Sequence, residues 1–131
     1  MNINTKIKIL YVDDSSVIRD MVESALLEIG YMNIQGAEDG IDALDKCAEE
    51  EYDFIITDIN MPNMDGIELI KQLRNKLDYM TIPIMVLSTE WSKEMKQKGR
   101  DAGATSWIVK PFNTKLLNKA ITDTINKVES N

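Results

Sequence analysis

Strand-like and helix-like segments alternate five times along this 131-residue chain, and four of the strand-like runs end in a polar signal. Lys8-Ile9-Leu10-Tyr11-Val12 leads into Asp13-Asp14, and Phe54-Ile55-Ile56-Thr57 leads into Asp58. Ile84-Met85-Val86-Leu87 leads into Ser88, and Trp107-Ile108-Val109 into Lys110. Continuous apolar runs suit strands covered on both faces, as in parallel sheets. Strands that alternate with helices pair in parallel through right-handed crossovers. All four polar signals then emerge along one edge of one sheet.

The helices follow from spacing and caps. The first strand is read over 7–12. Ser15 or Ser16 caps the first helix, whose inner face is Ile18, Met21, Val22, Ala25, Leu26 and Ile29, with Gly30 at its end. Residues 32–37 form a weaker strand, polar enough for a sheet edge. Asp39 caps a second helix carrying Ile41, Leu44 and Ala48. The third strand is 53–57, and its loop, from Asp58 to Gly66, is rich in turn residues. Asp65 caps the third helix, which faces inward through Ile67, Ile70 and Leu73. The fourth strand begins at Pro83. The fourth helix, roughly 91–101, is mostly charged and contains Gly99, which is less favourable than Ala in a helix by ~1 kcal/mol. It is predicted to be thinly attached and mobile. The fifth strand is 106–109. Asn113 or Thr114 caps the last helix, with Leu117, Ala120, Ile121 and Ile125 inward. No linker, low-complexity tract or repeat interrupts the pattern. Residues 1–131 are read as one domain, long enough to bury a core.

The charge balance removes several function classes. A net charge of −7 argues against a nucleic-acid surface, which neutralises phosphates with clustered Lys and Arg. The chain has no histidine, and so lacks the usual proton shuttle and the commonest transition-metal ligand. Cys47 is the only cysteine, which excludes an intrachain disulfide and suits a reducing compartment. Asp13-Asp14 interrupts the N-terminal apolar run, so no secretory signal is read. No stretch approaches the ~20 apolar residues of a membrane helix. The expectation is a soluble, cytoplasmic protein with no membrane insertion.

The pattern defines an α/β fold, a doubly wound five-stranded parallel sheet of flavodoxin-like (βα)5 type. Its order, 2-1-3-4-5, is taken from the known doubly wound folds and does not follow from the sequence pattern. Ligands in such folds bind beyond the carboxyl ends of the strands, at the topological switch point. Adjacent strands lie about 4.8 Å apart, so short Asp side chains on strands one and three can share a cation. Strand five is roughly 10 Å from strand three, a gap that only a long side chain such as Lys110 spans. Clustered carboxylates repel one another unless cations compensate. Lys110 offsets one charge, and an oxygen-only donor set selects Mg²⁺ or Mn²⁺ over zinc or copper. A carboxylate is a competent nucleophile toward phosphorus, and phosphoryl transfer depends on positioning and charge neutralisation more than on acid-base chemistry. Asp58 is the best-placed nucleophile.

These motifs resemble the receiver domains of bacterial response regulators, most of all the small stand-alone regulators of chemotaxis. The resemblance spans about residues 7–126. It rests on Val12-Asp13-Asp14-Ser15, on Thr57 through Gly66, on Leu87-Ser88-Thr89-Glu90, and on Gly103 through Phe112. It implies that Asp58 accepts phosphoryl from a histidine kinase of the chemotaxis type. It also implies that Asp14 holds Mg²⁺ directly, that Asp13 does so largely through water, and that the backbone carbonyl of Asn60 adds a ligand. Ser88 would hydrogen-bond the phosphoryl group and Lys110 would pair with it, and Lys110-Pro111 matches the family's cis peptide. Asn60 and Glu90 match positions that tune self-hydrolysis. Ser88 stands where threonine is commoner, and Trp107 where the family has a rotating Tyr or Phe; Trp107 is either that switch or a static strand residue.

The resemblance implies a phosphorylation-controlled binding switch rather than an enzyme, with only self-catalysed phosphoryl acceptance and autodephosphorylation. Its output would be docking of the face made by helix four, strand five and helix five on a flagellar motor switch protein or another output protein. A phosphatase would be a further partner, and the protein would be a monomer. A phosphate sink or phosphorelay intermediate with no motor output is the alternative. A Mg²⁺-dependent phosphatase of the haloacid dehalogenase type is disfavoured, because that family carries Asp-x-Asp-x-Thr after its first strand. A flavodoxin-type electron carrier is disfavoured because the first loop lacks a phosphate cradle.

Overall fold

A computed structural model describes residues 5–129. Five strands, β1 (Ile9–Val12), β2 (Ile34–Ala37), β3 (Phe54–Thr57), β4 (Ile84–Ser88) and β5 (Ser106–Val109), form one sheet in the order β2-β1-β3-β4-β5. Every pairing is parallel. The helices are α1 (Ser16–Ile29), α2 (Gly40–Glu49), α3 (Gly66–Arg74), α4 (Lys93–Ala102) and α5 (Thr114–Glu129). A single 3-10 turn, Leu77–Tyr79, enters before β4 and has no counterpart in the sequence pattern.

Successive side chains of a strand point to opposite faces, so each central strand supplies two cores. Ile9, Tyr11, Phe54, Ile56, Met85 and Leu87 pack with Val22, Leu26, Leu117 and Ile121 of α1 and α5. Leu10, Val12, Ile55, Ile84 and Val86 pack on the other face with Ala43, Leu69, Ile70 and Leu73 of α2 and α3.

The helix starts are fixed by side-chain caps. Ser15 Oγ accepts from Ile18 N, Asp39 from Asp42 N, Asp65 from Glu68 N, Ser92 from Met95 N and Asn113 from Leu116 N. Each such cap contributes about 1 kcal/mol. The structure thereby selects Ser15 over Ser16 and Asn113 over Thr114. Gly30 (φ 123°) and Gly103 (φ 117°) end α1 and α4 in a conformation that glycine adopts without strain.

Met21, predicted to face inward, faces out, and so do Ile41 and Ala48 of the second helix. Met21 and Ile41 are 46% and 48% exposed, and Ala48 is exposed. In α2 the inner stripe is Gly40, Ala43, Leu44 and Cys47, one position out of phase with the Ile41 reading. Glycine stands at position 40 because the chain at Met64 lies against it, and a Cβ there would meet Met64 Cβ at 2.8 Å. Met21 borders an outer groove between α1 and α5 that also involves Phe112.

Strand register sets the height of each site residue. Val12 pairs with Thr57, so Asp13 and Asp58 leave the sheet at the same level. Thr57 pairs with Val86 and Ser88 with Val109, which starts Lys110 two residues farther along than Asp58.

Candidate functional site

The carboxyl edge gathers the acids and the lysine. Asp13, Asp14 and Asp58 each place a carboxylate oxygen within 4.8 Å of the others. Asp13 and Asp58 are buried and Asp14 is exposed. Lys110 arches back from its higher starting point across β4 and β3. Its Nζ donates to Asp13 Oδ2 at 2.7 Å and to Asp58 Oδ2 at 3.0 Å. The remaining oxygens of the two buried acids are pinned by backbone amides: Ser15 N donates to Asp13 Oδ1 at 2.9 Å, and Ile59 N to Asp58 Oδ1 at 2.7 Å.

The backbone around these acids is equally fixed. Asp58 N donates to Val12 O, and Thr57 Oγ1 donates to Asp58 O at 2.8 Å. Arg19 Nη1 donates to Asp13 O at 2.6 Å, a support the sequence reading did not include. A Cβ at Gly66 would overlap Asp58 O, so only glycine lets α3 start this close to the pocket.

The pocket's charges do not balance by themselves. Burial raises the Asp13 carboxyl above the ordinary range, and the Asp58 charge adds to this; the bonds from Lys110 and Ser15 oppose it. Burial also works against the Lys110 ammonium, but its bonds to Asp13 and Asp58 outweigh that and hold it above the ordinary lysine range. Two carboxylates less than 5 Å apart repel by about 3 kcal/mol at an effective dielectric of about 20. Three carboxylates and one ammonium leave two negative charges uncompensated. A hard divalent cation matches that deficit and the all-oxygen donor set, so Mg²⁺ fits the residues present.

Ser88, Asn60, Glu90 and Trp107 form the neighbouring rim. Ser88 is fully buried, and its Oγ accepts from Glu90 N at 3.2 Å rather than joining the lysine–carboxylate network. Asn60 Nδ2 donates to Glu90 Oε1 at 3.1 Å, which joins the β3–α3 and β4–α4 loops across the mouth. Trp107 is half-buried, and its Nε1 donates to Glu90 O at 2.8 Å. Its ring rests on Gly99, where a Cβ would meet Trp107 Cζ3 at 2.7 Å. The sequence reading treated Gly99 only as a weak point of α4; its role as the seat of the indole required coordinates. The Lys110-Pro111 peptide is cis.

A profile of the response regulator receiver domain matches residues 9–122. The chain belongs to the response regulator receiver family. Chemotaxis protein CheY-3 of Vibrio cholerae is 36% identical over 119 residues, covering 91% of this chain and 92% of that protein. The CheY homolog of Campylobacter jejuni is also 36% identical, covering 90% and 92%. Among solved structures, the chemotaxis response regulator CheY4 of Vibrio cholerae is 44% identical, with a TM-score of 0.86, covering 91% of this chain and 98% of that one. The order-2-1-3-4-5 sheet is thus a CheY-like receiver fold, and its acidic cluster is compatible with the Mg²⁺ that receiver domains bind. Receiver domains of this kind are generally signal transducers rather than enzymes. No helix among the described residues is long and apolar enough to cross a membrane.

Proposed function

We propose that this chain is a phosphorylation-activated regulator of a chemotaxis-like two-component system, with Asp58 as the phosphoacceptor. One observation carries the reading: Asp13, Asp58 and Lys110, far apart in sequence, meet in a buried cluster at the sheet's carboxyl edge. Ile59 N holds Asp58 Oδ1, so Oδ2 is the attacking oxygen. It bonds to phosphorus as the bond from phosphorus to the kinase histidine nitrogen breaks, and the electron pair of that bond returns to the imidazole. Lys110 then transfers from the Asp58 carboxylate to a phosphoryl oxygen. Ser88 Oγ gives up its contact with Glu90 N and donates to another. Asp13, Asp14, Asp58 and the Asn60 carbonyl would hold Mg²⁺, which would supply the charge neutralisation that such a transfer needs.

Release of the Ser88–Glu90 contact frees the β4–α4 loop, to which Trp107 is also bonded through Glu90 O. The output is altered docking on the face of α4, β5 and α5. Beside that face, in the loop that leads into α4, Trp91 is 72% exposed. The face itself carries a cleft of about 230 Å³ lined by Lys96, Arg100, Trp107 and Lys127. Cations concentrated there on a chain of net charge −7 favour an acidic segment of the output protein, read as a flagellar motor switch component. The phosphodonor is a histidine kinase of the chemotaxis type, and the setting is the cytoplasm.

The test is intact-mass measurement after incubation with acetyl phosphate and Mg²⁺. The expected result is one added phosphoryl group, lost in Asp58→Asn and in EDTA. An Asp58→Asn variant that still takes up phosphoryl overturns the assignment.

A further inference from the structure

We infer that Asn63 and Asp39 are positioning residues for the cation site, acting through the β3–α3 loop. The inference rests on the proposed role of the Asn60 carbonyl as a cation ligand. A carboxylate ligand can adjust by rotating about its side-chain bonds. A backbone carbonyl has no such freedom, and its position is wholly that of its loop.

The loop from Asp58 to Asp65 is fixed at its start by β3 and at its end by the cap of α3. Between those ends it is held from two sides. On the β4 side the support is the exposed Asn60–Glu90 bond. On the α2 side it is a bond to a buried carboxylate. Asn63 Nδ2 donates to Asp39 Oδ2 at 2.8 Å, and Asp39 is 8% exposed. Bonds to an ionised acceptor are about twice as strong as neutral ones.

Asp39 uses each oxygen for a different structure. Oδ1 accepts from Asp42 N and starts α2; Oδ2 holds the loop. Both oxygens are engaged, so Asp39 supports the site without being a ligand in it. The backbone at Asn63 suits this contact. Its φ of 67° is the one positive value among the described non-glycine residues. Asn tolerates that conformation better than other L-residues. The next residue, Met64, presses on Gly40, the first residue of α2. The stretch that carries Asn60 is thus clamped onto the β2–α2 edge, outside the cluster that receives the phosphoryl group.

Three variants separate this role from general stability. Asn63→Gly keeps the positive φ and removes the amide. Asp39→Ser keeps a good helix cap and shortens the acceptor out of reach. The double variant closes the cycle. Mn²⁺ affinity of the unphosphorylated protein is read from the EPR signal of free Mn²⁺, with Mg²⁺ as competitor, and the thermal midpoint is recorded alongside. Each single variant is expected to weaken Mn²⁺ binding roughly tenfold, the lower end of what loss of outer support costs a metal site. The double variant is expected to fall within about twofold of the weaker single, because one bond is lost in all three. Variants that lower the midpoint but keep wild-type affinity, or single losses that multiply in the double, overturn the inference while leaving the phosphoacceptor reading intact. A wild-type protein that binds no Mn²⁺ overturns both.

Discussion

α4 and α5 both flank β5, yet they are attached by different physics. α5 has 16 residues and buries Leu117, Ala120, Ile121 and Thr124 against the sheet. α4 has 10 residues and buries only Gly99 and Ala102, both in its C-terminal half. Its remaining apolar anchor, Met95, is partly buried. The C-terminal end of α4 is instead held by Arg74 of α3, whose guanidinium donates to Gly103 O, Tyr79 O and Ile82 O. α5 is fastened by aliphatic burial, whereas α4 is fastened at one end by polar bonds and by an indole lying on a glycine. The difference places the thinly attached helix beside the pocket and the firmly buried one against the core. A helix held by few apolar contacts shifts at low cost, and its loop begins next to Ser88.

Truncation of a buried anchor gives the largest expected contrast. Leu117→Ala should cost about 3 kcal/mol in urea unfolding, and Met95→Ala about 1 kcal/mol or less. Equal losses would erase the distinction between the helices. Arg74→Ala should cost about 2 kcal/mol, since it leaves several carbonyls without their charged donor. Amide exchange should then accelerate in α4 and the 103–105 turn but not in α5, and Arg74→Lys should not restore it because an ammonium lacks the planar fork. Gly99→Ala should cost about 1 kcal/mol or somewhat more by overpacking against Trp107, with a red-shifted tryptophan emission as the indole is displaced. Unchanged emission would mean that α4 itself yields instead.

The smallest effect uses pH, and it separates the pocket from both helices. The Asp13 carboxyl titrates higher in the folded chain than in the unfolded one. Its contribution favours the fold at low pH and is lost as pH rises through its folded pKa. Urea midpoints in EDTA should show that decline, Asp13→Asn should flatten it, and Mg²⁺ should reverse it. An unchanged pH profile in Asp13→Asn would assign the decline elsewhere.

Much of this architecture is written in local pattern. Apolar runs located four of the strands and a weaker, more polar run the edge strand, and Asp39 and Asp65 mark helix starts because capping needs only neighbouring residues. Asp13, Asp14, Asp58 and Lys110 were legible as a cluster because parallel strands deliver their ends to one edge. The long-range uses of the same residues were not. Asp39 reads as a cap, and nothing local shows that its second oxygen holds Asn63 across 24 positions. Arg74 has no place in the local pattern, because its partners are carbonyls of two later turns. Gly99 reads as a defect because its reason for being small is the Trp107 ring. The inner face of α2 was not legible for a similar reason: Gly40 admits the loop at Met64, and hydrophobicity alone favours Ile41.

Gly66 shows what one close contact demands of a sequence. A methyl group there would overlap the Asp58 carbonyl, which is itself fixed by the sheet. A chain stripped of every acid of the pocket would still have no room for a side chain at this corner. Glycine there answers to the path of the backbone and the acids beside it answer to chemistry, so the two demands are separable.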